Sequence, residues 1–114
     1  MDNNILWQPT EDAINSAELT RLMRCLNSEF GLELSSYSDL HQWAIQQPDL
    51  FWGYLWDFFG VKASESFDTV LSSSTFLDSK WFAGAKLNYA ENCLHFNDEQ
   101  TAIIAVNEQG ETNR

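Results

Sequence analysis

The chain has 114 residues, and 6 Lys plus Arg against 17 Asp plus Glu give a formal net charge of −11. That leaves room for at most one small domain. A hydrophobic content of 44% with 14% aromatics excludes a disordered acidic tail, and the charge makes nucleic acid and anionic membrane surfaces poor partners.

The first residues, 1–7, carry neither a basic run nor a long apolar one, so they are not a secretory signal. After Trp7 and Pro9, Ser16 is placed to cap a helix over 17–30, in which Leu19, Leu22, Met23, Leu26 and Phe30 recur at offsets of three and four and Gly31 ends the run. Ser36 with Asp39 three residues on has capping-box spacing, with Asp replacing the usual Glu. Leu40, Trp43 and Ala44 then give a short second helix. Pro48 suits the first turn of a third helix running to about Phe59, with Gly60 as its left-handed terminator.

The third helix carries Leu50, Phe51, Trp52, Tyr54, Leu55, Trp56, Phe58 and Phe59, too many for one stripe. Two readings fit: a central core helix, or a docking surface covered by something outside the chain. Asp57 interrupts the stretch, which is far shorter than the roughly 20 apolar residues of a membrane span, so no membrane crossing is predicted.

From Lys62 to Lys80 the pattern weakens to a loop with one short strand around Phe67, Val70 and Leu71. Asn88 with Glu91 repeats the capping spacing and opens a fourth helix through Tyr89, Cys93 and Phe96, ending near Asn97. Thr101, Ala102, Ile103, Ile104, Ala105 and Val106 read as a strand entering a turn at Asn107, Glu108, Gln109 and Gly110. Only four residues follow, which leaves little room for a return strand and predicts that its sheet lies elsewhere and that the chain is a fragment. The expected fold is mainly α, three to four helices with a short C-terminal strand or hairpin: a small α+β N-terminal domain fragment spanning 1–114.

Candidate chemistry is sparse. The five glycines match neither a dinucleotide fingerprint nor a phosphate loop, and the run Ser72, Ser73, Ser74, Thr75 lacks the glycines that let backbone N–H groups close on an anion. Cys93 and His95 lie two apart, and with Cys25 and His41 they form no zinc-ligand spacing. Ser38, Asp39 and His41 fall on different helix faces, which defeats a nucleophile and base pairing. No catalytic, cofactor-binding or metal-ligating residue is expected. Cys25 and Cys93 alone do not make a disulfide framework, so a reducing cytoplasmic setting is expected.

Several phrases in order resemble one family: Trp7-Gln8-Pro9; Tyr37-Ser38-Asp39-Leu40-His41-Gln42-Trp43; Pro48-Asp49-Leu50-Phe51-Trp52 leading into Leu55-Trp56-Asp57-Phe58-Phe59; and Trp81-Phe82-Ala83-Gly84-Ala85-Lys86-Leu87-Asn88-Tyr89-Ala90-Glu91-Asn92. They look like the N-terminal region of the acetoacetyl-CoA synthetases, within the adenylate-forming acyl-CoA synthetase superfamily. The Pro-x-x-Phe-Trp phrase is shared with the acetyl- and propionyl-CoA synthetases.

The resemblance implies a full-length enzyme that uses ATP and Mg²⁺ to make an acyl-adenylate and transfers the acyl group to CoA. This chain would be its non-catalytic N-terminal segment, packed against the adenylation domain. None of the family's phosphate-loop, nucleotide, CoA or lysine motifs falls on a residue here. The matching aromatics, small residues and caps belong to packing, with Trp81, Phe82 and a tight turn at Gly84 setting the path into the fourth helix. The alternatives are the same segment of an acetyl- or propionyl-CoA synthetase, or a stand-alone helical interaction domain.

Overall fold

The computed structural model describes residues 6–73, 75–94, 96, 98–101 and 103–113, so His95, Asn97, Ala102 and Arg114 lie outside the description. Helix α1, Glu11–Ser16, is capped by Thr10, whose Oγ1 accepts from the Ala13 N–H at 3.2 Å. The sequence reading missed this helix and gave Ser16 to the next one. Instead the Ser16 hydroxyl donates back to the Asp12 carbonyl at 2.8 Å, and the extended Ala17 starts α2, Glu18–Phe30, with no side-chain cap. A hydroxyl inside the last turn of one helix is unavailable to the first turn of the next.

The α2 stripe buries Leu22 and Leu26, which meet Leu40 of α3, Tyr37–Gln46. Gly31 stands in the left-handed region with φ 65°, as the spacing predicts. The link between the two helices is held by Asn27, whose amide donates to the Leu34 carbonyl at 2.9 Å while its Oδ1 accepts from the Leu34 N–H at 2.8 Å. The capping box forms with both arms: Ser36 Oγ accepts from the Asp39 N–H at 3.2 Å, and Asp39 Oδ2 accepts from the Ser36 N–H at 2.8 Å.

Helix α4, Pro48–Phe58, begins with Pro in its first turn and packs on two sides. Phe51, Tyr54, Leu55 and Phe58 lie against the Leu22, Leu26 and Leu40 cluster, with Phe30 to Trp43 at 5.2 Å and Phe30 to Tyr54 at 5.8 Å between ring centroids. The opposite side meets an antiparallel pair, β1 Thr69–Leu71 and β2 Trp81–Ala83, registered Thr69 to Ala83 and Leu71 to Trp81. Gly53 permits that approach, since a Cβ there would stand 3.1 Å from Val70 Cγ2. Trp56 is central to this second side, 5.1 Å from Phe67 and 4.8 Å from Phe82. The all-round apolar helix thus packs on two faces, with none of its residues fully buried.

Strand β2 has no counterpart among the elements expected from the sequence. Its three residues are too short for an alternating signal, and the connection from β1 holds a 3₁₀ turn at Phe76–Asp78. Helix α5, Tyr89–Cys93, is capped by Asn88 as predicted but stops at Cys93 rather than near Asn97. Leu94, with a φ of −104° and a ψ of 50°, leaves the helical conformation there.

Of the expected strand or hairpin at the C-terminus, the chain forms the hairpin, with a return strand where the sequence left little room for one. Strand β3, Ala105–Val106, pairs with β4, Thr112–Asn113, through a loop closed by Gly110 with φ 80° and by the Gly110 N–H donating to the Asn107 carbonyl at 3.0 Å. A three-residue loop turns the chain so tightly that two residues suffice to come back. Among the described residues, five α-helices and two small antiparallel sheets replace the expected three to four helices and one strand or hairpin.

Hydrophobic burial is slight. Leu22, Leu26 and Leu40 are the buried core among the described residues. The radius of gyration is 19.5 Å against about 13 Å for a compact domain of this length. The accessible surface is 9741 Å², against roughly 6,400 Å² for a compact monomer of 13.1 kDa.

Candidate docking surface

The second side of α4 does not close completely. Between it and β2 runs an open groove of about 490 Å³ lined by Trp52, Trp56, Phe59, Trp81, Phe82 and Leu87. Helical spacing brings Trp52, Trp56 and Phe59 to one face, and Trp81 and Phe82 stand across from them, the left-handed φ of Phe82 breaking the strand's alternation. Trp52 and Trp81 stand edge to face with centroids 6.0 Å apart, and each is 45% exposed. Phe59 and Leu87 are more than half exposed. Trp56 is half-buried in its three-ring cluster with Phe67 and Phe82.

Two backbone features hold β2 in place. Phe82 takes a left-handed φ of 49°, and its carbonyl accepts from the Ala85 N–H at 3.1 Å, bending the chain out of the strand. Gly84, at φ 90°, then passes so close to Asp68 that a Cβ would lie 2.5 Å from Asp68 Oδ2. The tight turn foreseen at Gly84 is present, and it serves the pairing of β2 with β1.

Below the groove, polar contacts staple the chain segments together. Glu65 and Lys86 form an isolated antiparallel bridge, and Lys86 Nζ donates to Glu65 Oε1 at 2.8 Å on an exposed surface. Asn92 holds the backbone of Lys62 from α5. Lys62 and Asn92 line a cleft of about 300 Å³ that shares Phe59 and Val61 with the groove. Sequence reasoning missed the roles of Glu65, Phe67 and Asn92. Asn92 did stand in the Leu-Asn-Tyr-Ala-Glu-Asn phrase, but its partner thirty residues earlier has no local signal.

The residues weighed for chemistry are otherwise engaged. The Asp39 carboxyl is held below the usual carboxylate range, first by the Ser36 hydroxyl and then by the Ser35 and Ser36 groups that donate to it. His41 stacks on Tyr37 with centroids 6.0 Å apart. Ser72 Oγ accepts from the Lys80 N–H and Ser73 Oγ from the Thr75 N–H, while Ser74 lies outside the described residues.

Of the metal candidates, Cys25 is half-buried, Cys93 is exposed and His95 is not described. Burial, then the neighbouring Cys25, raises the Tyr54 phenol, and a hydrogen bond with Cys93 raises that of Tyr89. Among the described residues no group of three His, Cys, Asp or Glu side chains could hold a metal ion. The groove itself presents aromatic and aliphatic carbon, suited to excluding water from an apolar partner rather than to gripping a phosphate.

Comparison with known proteins matches residues 37–93 to the family described as Acetyl-coenzyme A synthetase N-terminus. That interval contains every residue named above as lining the groove. The chain is similar to the Acetoacetyl-CoA synthetase of Danio rerio, 35% identical over 97% of this chain and 17% of that protein. It is similar to Malonamoyl-CoA synthetase vrtB of Penicillium aethiopicum, 35% identical over 93% of this chain and 16% of that protein. Among solved structures, the Acetoacetyl-CoA Synthetase from Streptomyces lividans superposes with a TM-score of 0.69 at 36% identity, covering 75% of this chain and 14% of the other. The chain therefore spans about one sixth of the length of these curated relatives.

Proposed function

The chain belongs to the Acetyl-coenzyme A synthetase N-terminus family, and from that premise we propose that it is the non-catalytic N-terminal segment of an ATP-dependent acyl-CoA synthetase, packed through its aromatic groove on the adenylation domain. The observation that carries this reading is the surplus surface, about one and a half times that of a compact monomer, with an apolar groove within it. A segment with three buried side chains among its described residues gains its stability from a second surface.

The whole enzyme would join acetoacetate to CoA, using ATP and Mg²⁺ and releasing AMP and pyrophosphate. Identity is equal, at 35%, to an acetoacetyl- and a malonamoyl-CoA synthetase, which supports a short acid with a β-carbonyl group as the substrate class. The residues that select it would lie outside this segment. Two free thiols fit a reducing, cytoplasmic setting. Among the described residues no helix is long and apolar enough to cross a membrane.

The test replaces the matched segment of the Streptomyces lividans enzyme with this chain. The chimera is expected to form acetoacetyl-CoA with ATP and CoA, whereas the enzyme without the segment is expected to be inactive or insoluble. Full activity of the truncated enzyme would overturn the reading.

A further inference from the structure

We infer that the surface covering the aromatic groove brings an aspartate or glutamate to Lys62, so that an apolar fit is keyed at one end by an ion pair. The inference rests on the proposed function and adds to it the chemistry of the covering segment.

Charge is unevenly spread along the chain. All three of its lysines, Lys62, Lys80 and Lys86, fall between residues 59 and 94, against four acids, Glu65, Asp68, Asp78 and Glu91. The part that supplies β1, β2 and α5 thus holds a net −1 of the chain's −11. The contrast is sharper at the groove itself. Among the described residues no charged side chain lines the groove, and Lys62 is the one charged side chain lining the cleft that adjoins it at Phe59 and Val61.

Lys62 is also held in that position. Asn92 takes both of its backbone groups, which leaves the side chain as its one adjustable part. Among the described residues ion pairs join Arg21 to Glu18 and Lys86 to Glu65, and none includes Lys62. The residue is exposed, so water solvates its ammonium. A surface laid on Trp52, Phe59 and Val61 reaches the mouth of the cleft and displaces that water. An ammonium stripped of water is costly unless a carboxylate takes the water's place.

The occupant is a segment from the five sixths of the relatives' length that this chain does not span, with apolar side chains for the groove and one carboxylate for Lys62. A second copy is the poorer candidate. A two-fold pairing of groove on groove supplies no carboxylate from its own lining, and each copy carries −11.

Carbodiimide cross-linking of the full-length synthetase, read by mass spectrometry, tests the pairing, because the reagent joins an amine to a carboxylate only where the two touch. Oxidative footprinting of Trp52 and Trp81 in the same sample reports whether the groove is covered. The expected result is Lys62 joined to an Asp or Glu beyond residue 114, with both tryptophans oxidised several-fold more slowly than in the 114-residue chain. Lys62→Glu is expected to leave the melting temperature of the chain unchanged, to lower that of the synthetase, and to be rescued when the cross-linked acid is changed to lysine.

Covered tryptophans with no Lys62 cross-link beyond residue 114, or with no rescue, would overturn the inference and leave the proposed function standing. Tryptophans that stay uncovered in the synthetase would overturn both. A Lys62 cross-link between isotopically distinct copies would make the occupant a second copy and overturn the inference.

Discussion

The side chain of Asn92 stands in for a β-strand: its Oδ1 accepts from the Lys62 N–H at 2.8 Å and its Nδ2 donates to the Lys62 carbonyl at 2.9 Å. One amide thereby satisfies both backbone groups of a residue thirty positions away and fixes α5 beside the end of α4. Asn92→Ala removes these two bonds, together with the one that Nδ2 donates to the Asn88 carbonyl, and is expected to destabilise the chain by about 1 kcal/mol in urea unfolding. Asn92→Asp keeps the acceptor and loses the donor, so it should also destabilise. An Asn92→Ala variant as stable as the parent would show that water replaces the clamp without cost.

The capping box gives the chain an acid-sensitive joint. Asp39 accepts its hydrogen bonds more strongly as a carboxylate than as the neutral acid, so its folded pKa lies below the unfolded value of about 3.9. Its contribution is therefore fully present above the unfolded value and lost as pH falls through the folded one. The melting temperatures of the parent and Asp39→Asn should differ at neutral pH and converge in acid. A gap that persists in strong acid would contradict the assignment.

Gly84 meets two constraints, its φ of 90° and the proximity of Asp68. Gly84→Ala is expected to cost about 1–3 kcal/mol through backbone strain, plus the displacement of the carboxylate. Adding Asp68→Ala should recover the steric part and leave the backbone part. Thermal melts of the two single variants and the double variant separate the terms. Full recovery in the double variant would show that φ imposes no cost.

Truncations in the aromatic region should divide by surroundings rather than by residue type. Leu26→Ala, at the fully buried centre of the helical cluster, is expected to cost about 3–5 kcal/mol. Trp56→Ala, inside its three-ring stack, should cost about 2–3 kcal/mol. Trp52→Ala, at the open rim, should cost less than about 1 kcal/mol. Chemical denaturation of the three variants ranks them, and Trp52→Ala as costly as Leu26→Ala would mean that the rim is part of the core.

Local signals told the most about this fold. The periodicity of Leu22 and Leu26, the Ser36 and Asp39 spacing, Pro48 and Gly31 each determine structure within one turn, and each is legible without knowing the fold. What stayed hidden depends on partners far along the chain or on competition at close range. Ser16 has the right residue type for an N-cap, but the Asp12 carbonyl takes its hydroxyl. Trp81 and Phe82 become a strand only because β1 lies alongside, and Thr112 and Asn113 become one because Gly110 turns the chain in three residues. The groove was legible as an excess of aromatics on α4. Its second wall was not, because no helical or strand period links Trp52 to Trp81.

Helix α4 packs on α3 just before it and on β1 shortly after it, while α1 lies on α2 and β2 on β1. Such short-range partners form rapidly, and an N-terminal segment of this kind can assemble while later residues are still being synthesised. During that interval the Trp52 and Trp81 rim faces solvent next to other growing chains. With the groove covered by later residues as proposed, the surplus of acidic groups would act as a temporary guard, holding nascent copies apart by mutual repulsion until that covering surface emerges.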